Sequence, residues 1–436
     1  MFFRPPSARS SHLRSARNLV HDDFIPFADH GDCCDGCGSQ PADASIRGLA
    51  HVSRTSTERR PEDGPPLLWK TTGVGRGYSS LAISQGRIFT LGDGITEDDE
   101  NEYLLAFDQK EGKPLWKTKT GAPWTKGQSN WQSSRSTPSS DGVSVYVISP
   151  HGVLLACDAA TGDELWRKDL KKDFDGSKGD GWGYSESPLI DGDTLVCTPG
   201  GENATMVALD KKSGDLIWKA SQPGNRGAGH SSIVITNVGG VKVYVQMTSA
   251  GAIGVRSGDG EILWAYQIDR TTAVCPTPVI KDDLVFIAAG YKRGGALLKQ
   301  KPAGDGKIEI EEIYPMKIQL ANKHGGIVRV GDHVYGDSDD AGIPYCADMM
   351  TGEIKWKHRG SGKNSASFTA AEDRLYIHFS SGRMVLAKAQ PTEYEEVGSF
   401  QAPGTGERPS WSHPVISGGR LYLRENDQIL CYDIRE

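Results

Sequence analysis

At 436 residues, with 37 % hydrophobic and 24 % charged side chains and a net charge of −7, the chain can build a sizeable core and carries no global basic field to draw nucleic acid. No run approaches the 18 or so apolar residues of a membrane-spanning helix. Aromatic and β-branched residues recur along most of the length, which excludes disorder on that scale.

The first 65 residues stand apart. They hold eight Arg and neither Lys nor Trp. Behind Met1-Phe2-Phe3 the chain turns at once to Arg4-Pro5-Pro6, so the apolar stretch of a secretory signal is not legible. Cys33-Cys34-Asp35-Gly36-Cys37, with His30 nearby, looks like half a zinc site, but a structural site wants a second pair of ligands. Residues 1–65 are therefore expected to be a disordered leader, or the product of a misplaced start. Cys157, Cys197, Cys275, Cys346 and Cys431 lie singly in apolar, strand-like runs and read as small buried hydrophobes rather than bridges.

From residue 66 onward the chain repeats itself. Leu105-Ala106-Phe107-Asp108 leads to Trp116, Leu155-Ala156-Cys157-Asp158 to Trp166, Val207-Ala208-Leu209-Asp210 to Trp218, and Tyr345-Cys346-Ala347-Asp348 to Trp356. In each copy the Asp stands 8 residues before the Trp, and a glycine (Gly112, Gly162, Gly214, Gly352) stands 4 before it. A fifth copy has Arg256 for the Asp and keeps Gly260 and Trp264. Trp69, Trp116, Trp166, Trp218 and Trp264 are spaced by 46–52 residues, and the step of 92 to Trp356 is two periods. The copy missing from that gap is assigned to residues 296–310. Degenerate copies follow at 384–397 and 429–433.

The upstream half of each unit is a short strand, a polar turn and a second strand, as in Ser187-Pro188-Leu189-Ile190-Asp191-Gly192-Asp193-Thr194-Leu195-Val196. Gly or Asp-Gly between alternating apolar runs is a hairpin signal. Units of four antiparallel strands at a period of about 46 residues specify an all-β propeller, here of eight blades. Because the chain stops at Cys431-Tyr432-Asp433, where other copies continue into a Trp strand, the strand around 67–70 is expected to complete the last blade. Trp69, Trp116, Trp166, Trp218, Trp264 and Trp356 are read as structural, each indole packing on the neighbouring sheet with its N–H on a carbonyl.

The pattern Ala-x-Asp-x-x-Thr-Gly-x-x-x-Trp, clearest at Ala156 to Trp166, resembles the pyrroloquinoline quinone repeat family over residues 67–436. The resemblance implies three branches. One holds quinone-dependent alcohol dehydrogenases, another the scaffold lipoprotein of the outer-membrane protein assembly machinery, and the third uncharacterised exported bacterial proteins. It also implies a place in the periplasm or cell envelope. Quinone chemistry would bring pyrroloquinoline quinone and calcium, an Asp base, a stacked Trp and a vicinal disulfide over the cofactor. Here the Cys33-Cys34 pair lies in the leader, and only Glu186, Asn322 and Asn364 are eligible calcium ligands.

In a propeller the loops leading into the innermost strands ring the central channel. Those loops hold Arg76, Tyr78, Arg135, Trp182, Tyr184, Glu186, His230, His324, Asn364, Trp411 and His413, a set suited to a small-molecule pocket. Three further features are read as incidental. Gly73-x-Gly75-x-Gly77 precedes a strand rather than the helix of a phosphate cradle. Asp173-Phe174-Asp175-Gly176-Ser177, with Asp180, lacks the closing Glu of a calcium loop. The run Glu97-Asp98-Asp99-Glu100 is a solvated insertion between two strands of the first blade. No Ser-His-Asp order or nucleophile elbow is recognisable. The sequence therefore specifies a non-catalytic binding or scaffold propeller whose partner is a protein or an extracellular polymer. The alternative is a calcium-assisted, quinone-dependent alcohol dehydrogenase.

Overall fold

A computed structural model describes residues 64–95, 99–404, 406 and 408–435. The leader's cysteines and the residues Glu97 and Asp98 lie outside the described residues; Asp99 and Glu100 stand between the strands Arg87–Asp93 and Glu102–Asp108 of the first blade. Eight four-stranded antiparallel sheets form the ring, and the one α-helix among the described residues is the single turn Leu170–Asp173. Blades 1 to 7 span residues 82–121, 139–169, 189–220, 234–267, 279–317, 327–357 and 366–401. Blade 8 takes three strands from residues 415–433 and its fourth from Leu67–Thr72, which pairs antiparallel with Gln428–Asp433 and sets Trp69 opposite Cys431. The ring thus closes on the strand expected to close it.

Each part of the repeat has its own physical task. The Asp caps a turn: Asp158 Oδ1 accepts the amides of Ala160 at 2.8 Å and Thr161 at 2.9 Å, and Asp108 and Asp210 do the same for the residues that follow them. The glycine gives way to the indole of the preceding blade. A Cβ on Gly162 would lie 2.5 Å from the Trp116 ring, and Gly112, Gly214 and Gly260 stand likewise under Trp69, Trp166 and Trp218. The indole then docks on the next blade, with Trp116 Nε1 donating to Ala159 O, Trp166 to Lys211 O, Trp218 to Ser257 O and Trp356 to Gln390 O at 2.7–3.3 Å.

The degenerate copies keep the geometry with other side chains. In blade 5 Tyr314 replaces the Trp; its hydroxyl donates to Met349 O at 2.9 Å, and its ring covers Gly352. Arg256, standing in for the Asp of blade 4, pairs with Asp259 instead of capping the turn. Trp264 is fully buried because the long hairpin of Gly294–Gly304 and Lys307–Lys317 packs over it with Ile308. The five described cysteines are free thiols, four of them buried in blade cores as expected.

The junction of blades 8 and 1 explains the Gly73-x-Gly75-x-Gly77 run. Asp427 accepts the amides of Gly73 and Gly75 at 3.0 and 2.5 Å, and a Cβ on Gly75 would meet Asp93 O at 2.5 Å. Buried Arg424 stitches the same seam, its guanidinium donating to Thr90 Oγ1 at 2.7 Å, to Gly75 O at 3.1 Å and to Leu91 O.

Two substitutions test the repeat. Trp166→Ala removes a docked indole and is expected to cost about 3–5 kcal/mol. Gly162→Ala removes nothing, yet forces a Cβ at φ +80° into the Trp116 ring and should destabilise by about 1–3 kcal/mol. Urea unfolding of both variants reads these losses; a neutral Gly162→Ala would show that the indole does not need the glycine.

Candidate functional site

One residue per blade stands at the same register, two positions before Ser80, Thr137, Ser187, Ser232, Thr277, Gly326, Ser367 and His413 at the entry to the innermost strands. The eight are Tyr78, Arg135, Ser185, His230, Cys275, His324, Ser365 and Trp411. Hydroxyl groups at the following register tie neighbouring blades together beneath them. Ser80 N donates to Thr137 Oγ1, Ser187 N to Ser232 Oγ and Ser232 N to Thr277 Oγ1, each at 3.1 Å.

On one side of this belt the rings stack. Trp411 lies between Tyr78 (centroids 4.8 Å apart) and His324 (4.7 Å). Arg135 and Arg408 both sit over the Tyr78 ring, at 5.7 and 5.2 Å. Arg135 donates to Trp182 O at 3.0 Å and also to Trp131 O, while the Trp131 and Trp182 rings meet edge to face at 6.5 Å. The Tyr78 hydroxyl donates to Asn130 O. Arg76 reaches away from this group to Asp93, 2.9 Å from its Oδ1.

On the other side runs a hydroxyl–imidazole–carboxylate chain. Ser185 Oγ is 2.6 Å from His230 Nδ1, and His230 Nε2 is 2.7 Å from Asp180 Oδ2. Burial, reinforced by Lys178, pushes the imidazole down to about 4, so at neutral pH it is uncharged. The hydrogen bond and charge of His230, with Lys178, outweigh burial at Asp180 and hold its carboxyl near 2. Lys178, pushed down to about 8 by burial, donates to Gly229 O at 2.5 Å and stands 3.8 Å from Asp180. An anionic Asp180 fixes the proton on Nε2 and leaves Nδ1 to accept from Ser185. Asp180, read above as a spare calcium oxygen, is committed to this chain.

The remaining expected site residues are placed in packing. Tyr184 is buried in the core between blades 2 and 3, its hydroxyl donating to Pro199 O at 2.8 Å. Glu186 is buried too, with Thr198 N at 2.9 Å and Thr198 Oγ1 at 3.1 Å, and burial pushes its carboxyl up to about 8. His413 lies beneath the belt, its ring at the place a Cβ on Gly326 would fill, and burial lowers its pKa. Sequence reasoning missed Lys178, Arg408 and Asp340, which belong to no repeat register and are gathered only by loop conformation.

These residues do not fit a calcium-bound quinone. No three His, Cys, Asp or Glu side chains among the described residues are placed to share a metal ion. Of the eligible oxygens, those of Glu186 are engaged by Thr198, and Asn322 is buried in the blade packing, its Nδ2 donating to Asp337 O at 3.1 Å. Asp180 is already held by His230 and Lys178.

A model of the family described as outer membrane protein assembly factor BamB matches residues 100–358. Outer membrane protein assembly factor BamB of Nitrosomonas eutropha (strain DSM 101675 / C91 / Nm57) is 26 % identical over 210 residues, covering 48 % of this chain and 42 % of that protein. The Yersinia pestis protein of the same name is 26 % identical over 237 residues, 52 % of this chain and 56 % of its own length. The chain thus spans about half the length of the curated relatives it matches. Among solved structures, BamB from Moraxella catarrhalis superposes with a TM-score of 0.57 at 14 % identity, over 85 % of this chain and 98 % of that one. A europium-containing methanol dehydrogenase gives 0.54 at 12 % identity, over 82 % and 84 %. Both likenesses are of fold.

The buried Glu186 gives a pH test. Its pKa is raised, so its contribution to stability is complete below the ordinary value of 4.5 and is lost as pH rises through about 8. Glu186→Gln mimics the protonated acid. The variant should match the wild type in melting temperature at pH 4 and exceed it by a growing margin between pH 4.5 and 8, levelling off above that, in calorimetry. Parallel pH profiles would mean that Glu186 is ionised in the folded ring.

Proposed function

Because this chain belongs to the family described as outer membrane protein assembly factor BamB, we propose that it is a non-catalytic scaffold propeller of the bacterial cell envelope, binding protein partners in outer-membrane protein assembly. One observation supports the non-catalytic part of this reading: the polar side chains of the belt are held by one another and by loop carbonyls. His230 is spent on Ser185 and Asp180, and Arg135 on loop carbonyls. No helix among the described residues is long and apolar enough to cross a membrane.

The outer rim supports protein binding. On four successive blades the residue before the docking Trp is an exposed aliphatic: Leu68 (42 % exposed), Leu115 (47 %), Leu165 (49 %) and Ile217 (53 %). Each lies on the fourth strand of its sheet, whose outer backbone edge is open to pairing. An extended partner segment adding to such an edge would gain ladder hydrogen bonds and cover the aliphatics. In blade 4 the equivalent Leu263 is buried, in one core with Ile308 of the long hairpin of blade 5.

Cross-linking in the native host, followed by affinity purification, should recover outer-membrane assembly proteins with the full chain. The double variant Leu115→Glu, Leu165→Glu should lose at least 10-fold of that recovery with an unchanged melting temperature. Stoichiometric, calcium-dependent binding of pyrroloquinoline quinone, with dye reduction by alcohols, would overturn the scaffold reading.

A further inference from the structure

The rim of blades 8, 1, 2 and 3 repeats a second feature besides its exposed aliphatics. On each of these blades the residue after the docking Trp is basic and exposed: Lys70, Lys117, Arg167 and Lys219. Four successive outer strands thus present an aliphatic and a cation on either side of one indole. Blade 6 has cations alone, Lys355 and Lys357. The cations differ in what holds them. Arg167 pairs with Glu164 at 2.6 Å, and Lys117 lies over the Tyr103 ring, its Nζ 4.6 Å from the centroid. Lys70 and Lys219 have no ion-pair partner among the described residues.

Blade 4 shows what covers such a rim. Its triplet is Leu263-Trp264-Ala265, an aliphatic and an indole without the cation. Over it packs the second strand of blade 5's long hairpin, in which Ile308-Glu309-Ile310-Glu311-Glu312 mixes apolar and acidic side chains almost in alternation. Ile308 is buried in one core with Leu263 and Trp264, and Ile310 packs against that core. Glu309 and Glu311 stay exposed, while Glu312 accepts from the Tyr266 hydroxyl of the covered strand at 2.6 Å. Side chains make this contact, because the hairpin belongs to the sheet of blade 5 and adds no strand to that of blade 4. The molecule therefore holds its own example of an apolar, acidic strand lying on an outer strand.

The four open rims put a cation where blade 4 has Ala265. A purely apolar strand laid there would strip water from the cation without replacing it. A carboxylate would pair with it, and opposite charges facing one another on neighbouring strands stabilise the contact. The net charge of −7 opposes this little at contact range, since exposed charges more than about 10 Å apart are largely screened at ordinary salt.

We propose that the rim of blades 8, 1, 2 and 3 takes extended partner segments in which apolar side chains alternate with carboxylates. The apolar groups cover the exposed aliphatics, and the carboxylates pair with Lys70, Lys117 and Lys219. The proposal rests on the scaffold reading for its site and adds the chemistry by which a partner is selected.

The test is fluorescence anisotropy of the full chain with a labelled peptide, two tandem copies of the sequence of residues 307–314, and with its counterpart carrying Gln for every Glu. At low salt the acidic peptide should bind saturably and the Gln peptide at least about 3-fold more weakly. High salt should remove the difference. The triple variant Lys70→Gln, Lys117→Gln, Lys219→Gln should bind both peptides alike and keep the melting temperature of the wild type. Absence of saturable binding by the acidic peptide overturns the proposal, as does equal binding of the two peptides or a preference undiminished in the triple variant. Sedimentation with phosphatidylglycerol vesicles that the triple variant loses, with no peptide bound, overturns it in favour of a membrane surface. Failure here is separable from failure of the scaffold reading. Peptide selectivity without any recovery of assembly proteins sinks the scaffold reading alone. Recovery that Leu115→Glu, Leu165→Glu removes, without peptide selectivity, sinks this proposal alone.

Discussion

An indole packed over a glycine of the next blade is the contact on which the ring depends. Among the described residues neighbouring sheets share no strand ladder, only single backbone bonds such as His230 N to Val274 O at 2.7 Å, so side chains do most to hold the sheets at their relative angle. The indole supplies apolar area and, through its N–H, a hydrogen bond that fixes its orientation. The glycine beneath it serves twice, giving the turn its positive φ and leaving the space the ring occupies. Where the indole is lost, as at Tyr314, another ring with a polar tip takes the same seat and docks on a carbonyl of the following blade. The constraint is therefore on shape and on one donor rather than on tryptophan itself.

Closure adds a second constraint that no single blade can meet. Seven blades are continuous in sequence, whereas the eighth joins residues more than 350 positions apart. That seam is stitched by buried polar groups. The buried guanidinium of Arg424 and the carboxylate of Asp427 bind backbone groups of the returning strand's loop. A buried Arg is costly unless its donors are met, and here carbonyl and hydroxyl acceptors from the first blade and its leading loop meet them.

With the blades fixed by their outer strands, the axis-facing loops are relieved of structural work at one register, and eight dissimilar residues share it. Tyr78, Arg135, His324 and Trp411 form the aromatic and basic part of that belt, whereas Ser185 and His230 join Asp180 in a polar chain.

The sequence by itself determined the blade count, the four-stranded unit, the closing strand and the docking role of the tryptophans. All of these follow from local spacing: Asp, Gly and Trp are separated by fixed numbers of residues along adjoining strands. The common register of Tyr78, Arg135, His230, His324 and Trp411 was legible for the same reason, since each precedes a recognisable innermost strand. Their partners were not. Tyr184 and Glu186 occupy the same loop as Ser185, and alternation along an extended chain turns them into the blade packing while Ser185 faces His230. Lys178, Asp180, Arg408 and Asp340 lie at no repeated register. Their placement comes from loops of unequal length converging on one axis, and that convergence of distant segments is set only when the ring closes.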